Sequence, residues 1–121
     1  MLISEDLLLL YGATITELEC PEPLFTQNDI PEYYYQVMSG KVKLTHYDNG
    51  TEIITDLFEK GAAIGEFLLF TDKRYPFNAA ACESCKILQL PKSSFLKLLE
   101  DNPEVRLNII KQLYIEIEKK S

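Results

Sequence analysis

Between Lys41 and Tyr47 the residues Lys-Val-Lys-Leu-Thr-His-Tyr alternate charged or polar with apolar, and Asp48-Asn49-Gly50 follows at once. Strict alternation places one set of side chains on one face of a strand, so the segment is a half-buried strand. Asn-Gly is the strongest short hairpin signal, because both residues tolerate the positive φ that a tight turn needs. Glu52 to Phe58 is therefore the return strand, turned again at Lys60-Gly61. Thr14 to Leu18 reads as an earlier strand stopped by Pro21 and Pro23. Asn28-Asp29 is a turn before Tyr33 to Met38, which is rich in aromatic and β-favouring residues. Asn78 to Cys82 and Lys86 to Leu90 form a further pair across Glu83-Ser84.

The two ends of the chain have a helical period. Leu2 to Tyr11 forms a short helix that Gly12 ends. Phe95, Leu96, Leu98 and Leu99 suit a helix after Pro91, and Asn102-Pro103 opens a second, with Asn as N-cap and Pro preorganised at the first helical position. The order is one short helix, about eight strands and two helices. That is an α+β, mainly β, arrangement whose sheets curl into a β-roll (a jelly roll, or double-stranded β-helix).

The 121 residues suffice for one core. A formal net charge of −7 repels phosphate backbones, so this chain by itself is not expected to hold DNA or RNA. Ser4, Glu5 and Asp6 interrupt the N-terminal apolar run and no basic region precedes it, so neither a signal peptide nor a membrane span is expected. Three cysteines fit a reducing cytoplasm better than a disulfide framework. Cys82 and Cys85 form Cys-x-x-Cys, but a structural zinc site needs two more ligands, and Cys20 and His46 lack ligand spacing. No metal is expected. A single histidine also excludes the metal cluster of a cupin, and no nucleophile stands with a base. The chain is not read as an enzyme.

Ile64 to Ala81, reading IGEFLLFTDKRYPFNAAA, resembles the phosphate-binding cassette of cyclic-nucleotide-binding domains. Asn28-Asp29, Tyr33-Tyr34-Tyr35, Ser39-Gly40-Lys41-Val42, the Asp48-Asn49-Gly50 hairpin and Gly61 resemble further features of that family in order and spacing. The Gly-Glu-x-x-Leu-Phe run and Tyr75-Pro76 are most similar to Crp/Fnr transcription regulators. The resemblance implies a pocket formed by Gly65, Glu66, Phe67, Leu68, Arg74, Tyr75 and Pro76. Gly65 would let backbone approach a ligand, Glu66 would accept from ribose hydroxyls, and an arginine would clamp the phosphate. In this chain the arginine position falls on Tyr75 and the small residue after it on Pro76, while Arg74 stands one residue early. A shift of one residue turns a side chain to the opposite face. Arg74 is thus expected in solvent unless the loop is one residue shorter, and cAMP and cGMP are expected to bind weakly or not at all. A small-molecule effector of another kind remains open. The residues also allow plainer readings. Glu66 can cap its own turn, Gly65 can serve turn geometry alone, and the three tyrosines can be sheet packing.

In the last helix, Leu107, Ile110, Tyr114 and Ile117 have coiled-coil spacing, and Val105, Ile109 and Leu113 form an adjacent row. The second row is expected on the roll and the first on a partner, as a homodimer seam. Residues 1–121 are read as one effector domain: 1–12 an N-terminal helix, 13–90 the roll, 91–121 the dimerising helices. A DNA-binding domain, which the resemblance places next, is not within this chain. Two functions follow. One is the ligand-sensing, dimerising effector domain of a cytoplasmic Crp/Fnr-like regulator; the other is a stand-alone interaction module with a vestigial pocket.

Overall fold

The structure, a computed structural model, describes residues 3–119. Leu2, at the head of the expected first helix, and Lys120 and Ser121, at the end of the expected dimerising segment, lie outside the described residues.

Helix α1 spans Glu5–Leu10, and Ser4 caps it by accepting from the Leu7 N–H at 3.2 Å. Seven strands follow: β1 Thr14–Leu18, β2 Pro23–Phe25, β3 Tyr33–Ser39, β4 Val42–Asp48, β5 Thr51–Phe58, β6 Asn78–Ala81 and β7 Cys85–Pro91. A 3₁₀ turn at Glu66–Phe70 lies between β5 and β6, and α2 (Lys92–Asp101) and α3 (Pro103–Lys119) close the chain. All pairings are antiparallel, in a three-stranded sheet ordered β1-β7-β3 and a four-stranded sheet ordered β2-β6-β4-β5. The hairpin expected from Asn49-Gly50 joins β4 to β5, and both residues have positive φ.

The alternation of β3 and β7 divides the interior in two. Tyr35, Val37, Cys85 and Ile87 point between the sheets, where Leu18, Phe25, Val42, Leu44, Ile64 and Ala79 complete one core. Tyr34, Leu88 and Leu90 point to the opposite face, where α1, α2 and α3 cover them with Leu8, Phe95, Leu98, Val105 and Ile109. Tyr34 to Val37 are buried on both faces of β3, which is why the tyrosine run carries no polar alternation. Tyr34 stacks on Phe95 with ring centroids 4.6 Å apart. Beneath it Gln36, fully buried, donates to the Ile3 carbonyl at 2.7 Å and accepts from Tyr34 Oη at 2.6 Å. The bond to Ile3 ties the residue before the Ser4 cap to the sheet.

Three expectations need correction. Pro23 does not lie beyond a terminated strand but begins β2, which is tolerated because β2 is an edge strand. The described strands number seven, not about eight. The Asn102 side chain caps backwards: its Nδ2 donates to the Leu98 carbonyl at 2.8 Å, while its own carbonyl accepts from Val105 and Arg106.

A candidate ligand pocket between the roll and the last helix

The 3₁₀ turn follows Gly65, whose backbone is left-handed at φ 67°. A side chain there would be strained and would place its Cβ 3.0 Å from Tyr75 Cε1. The turn and the strand ends beneath it form one wall of a cavity of about 720 Å³, and α3 forms the other. Gly65, Glu66, Phe67, Leu68 and Pro76 of the expected site line it. Arg74 and Tyr75 do not, and line a smaller depression with Phe25, Asn28, Asp29 and Tyr35 instead.

Tyr75 occupies the place expected for the phosphate clamp. It is 2% exposed and stacks face to face on Phe25, centroids 3.6 Å apart and rings 4° from parallel. Its hydroxyl is buried without a hydrogen-bond partner, and burial pushes the phenol well above its ordinary range. The ring is neutral, and stacking locks it into the roll core. Arg74 is exposed and donates from Nη1 to the Asn28 carbonyl at 3.0 Å, away from the cavity.

Glu66 is 8% exposed. Burial raises its carboxyl to about 7, its own backbone N–H opposes that shift, and the Glu116 charge adds to it. Glu116 stands across the cavity on α3, where it accepts from Gln112 and meets Lys119 at 3.9 Å. Glu66 thus lines the cavity from the first position of the 3₁₀ turn.

The sequence reading missed the α3 wall. Asn108, Lys111, Gln112, Ile115 and Glu116 line the cavity and follow the i, i+3, i+4, i+7, i+8 spacing of one helix face. That spacing was visible in the sequence, but a polar stripe reads as a solvated face until the helix is docked. Asp56 and Phe58 of β5 were missed in the same way. Val105 and Ile109 pack on the body as expected, whereas Leu113 of the same row is only partly covered, at 39% exposed. The other face of α3 carries Leu107, Ile110, Tyr114 and Ile117, exposed by 51%, 57%, 65% and 58%.

The sequence profile described as Cyclic nucleotide-binding domain matches residues 15–102, from β1 to the end of α2. The chain belongs to that family. Among its relatives in the family, the Cyclic AMP receptor protein of Thermus thermophilus is 33% identical over 90 residues, covering 73% of this chain and 41% of that protein. The potassium channel AKT1 of Oryza sativa is 26% identical over 81 residues, covering 67% of this chain and 9% of the channel. The crystal structure of the Thermus thermophilus catabolite activator protein superposes with a TM-score of 0.86 at 28% identity, over 95% of this chain and 54% of that one. A transcriptional regulator from Thermotoga maritima matches with a TM-score of 0.86 at 26% identity, over 96% of this chain and 91% of that one. The chain thus spans less than half the length of the curated relatives it matches. Its jelly roll is that of the regulators' cyclic nucleotide-binding domains. Among the described residues, no helix is long and apolar enough to cross a membrane, and no three potential metal ligands converge.

Proposed function

We propose that the chain is the ligand-sensing, dimerising effector domain of a Crp/Fnr-like transcription regulator that acts on DNA through a domain outside it. The division into an N-terminal helix (1–12), a roll (13–90) and dimerising helices (91–121) belongs to this proposal. The observation that carries it is the double use of α3. One face of that helix walls the cavity, and the face bearing Leu107, Ile110, Tyr114 and Ile117 is apolar and exposed. A ligand that shifts α3 from within would shift the seam from outside, which couples occupancy to the arrangement of two protomers. The higher identity to the Thermus thermophilus receptor protein, 33% against 26% for the potassium channel AKT1, supports a regulator over a channel module. An open cavity also favours a sensing role over a stand-alone interaction module with a vestigial pocket.

The seam is the part to test. Ile110→Glu with Ile117→Glu places two charges where each would be desolvated without a partner, a loss of several kcal/mol to association. Sedimentation is expected to report a dimer for the unaltered chain and a monomer with unchanged β-rich circular dichroism for the variant. A monomer for the unaltered chain at high concentration would refute the dimer.

A further inference from the structure

We propose that the cavity takes an organic cation with an apolar body, an amine carried on an aromatic or aliphatic group, and that Glu66 is its counter-ion. This rests on the reading of the cavity as a ligand pocket and names the class of molecule it selects. Three carboxylates, Asp56, Glu66 and Glu116, line the space against one ammonium, Lys111. They are not equivalent. Glu116 already meets Lys119 and Gln112. Glu66 is buried, and no basic side chain among the described residues forms an ion pair with it. A buried carboxylate without a counter-charge is costly, and a ligand that supplies the charge recovers that cost on binding.

The remaining walls fit the rest of such a ligand. Phe58, Phe67, Phe77 and Ile115 offer apolar surface, and aromatic faces attract ammonium groups. An anion finds the reverse. The clamp position is a stacked tyrosine, and Arg74 is held by the Asn28 carbonyl.

Binding should also depend on pH. The groups that interact electrostatically with Glu66 are Glu116 from α3, Tyr34 from β3 and Tyr75 from the loop after the 3₁₀ turn, while Lys111 from α3 and Asp56 from β5 line the same cavity. Glu116 opposes its ionisation, and a bound ammonium favours it. With the carboxyl at about 7 in the free protein, an amine is expected to bind up to about tenfold more tightly at pH 8 than at pH 6.

Three probes with one skeleton, phenylbutylamine, phenylbutanol and phenylbutyrate, separate charge from shape. In amide-resolved NMR titrations at pH 8, the amine is expected to shift the resonances of Phe67 and Ile115. It should bind about tenfold or more tightly than the alcohol, and the carboxylate should not bind. Glu66→Gln, checked for folding by circular dichroism, should bring the amine to within about twofold of the alcohol. Equal binding of alcohol or carboxylate, or an amine preference that survives Glu66→Gln, would overturn the assignment. If adenosine or cAMP moves those resonances and the amine does not, the ligand class is wrong and the pocket stands. If none of these compounds moves them at millimolar concentration, the pocket reading falls as well.

Discussion

Replacing Glu66 by Gln should make the protein more stable, and by an amount that grows with pH. In the fold the carboxyl ionises at about 7 against an ordinary 4.5, first because burial removes its water. Between those two values the folded chain holds a proton that the unfolded chain has released, so stability falls as pH rises through that window. Below it both states are protonated and the penalty is absent; above it the penalty is complete. A gap from 4.5 to 7 corresponds to about 3 kcal/mol. Glutamine has nearly the same shape and does not ionise. The stability of Glu66→Gln minus that of the unaltered chain is therefore expected to rise by about 3 kcal/mol between pH 4 and pH 8. Urea unfolding followed by circular dichroism measures it, at one protein concentration throughout so that association affects both chains alike. Taking the difference cancels every carboxylate the two chains share. A difference that stays flat, or falls with pH, would mean that Glu66 is ionised and compensated in the fold. The case for an uncompensated charge in the cavity would then fail.

Two further outcomes are expected. Gln36→Ala removes both bonds to the Ile3 backbone and the acceptor of the Tyr34 hydroxyl, and leaves a void. A loss of about 2–4 kcal/mol and faster amide exchange across α1 should follow, measured by urea unfolding and hydrogen exchange. For cAMP, a desolvated phosphate without its cation forfeits about 2–5 kcal/mol, so calorimetry should find no saturable binding at micromolar concentration. Micromolar binding abolished by Arg74→Ala would show that Arg74 turns inward after all.

The sequence was enough by itself wherever a few neighbouring residues decide the backbone. Asn49-Gly50 specifies the hairpin and Asn102-Pro103 breaks α2 from α3, because positive φ and proline geometry act within a single turn. The first helix, by contrast, begins at Glu5, after a Ser4 cap, later than its apolar run indicated. Strand β2 was not legible, since two prolines argue against a strand and only its pairing to β6, distant in sequence, makes one. Nor was the cavity. Asn108, Lys111 and Glu116 are a polar stripe in any helix, and they become a pocket wall only because Val105 and Ile109 dock α3 on the second core at one rotation. The same docking exposes Leu107, Ile110, Tyr114 and Ile117. Glu66 is an ordinary carboxylate in sequence, and only the folded chain buries it. Local conformational preference is written residue by residue, whereas burial and charge environment are set by residues far apart in the chain and exist only once it has folded.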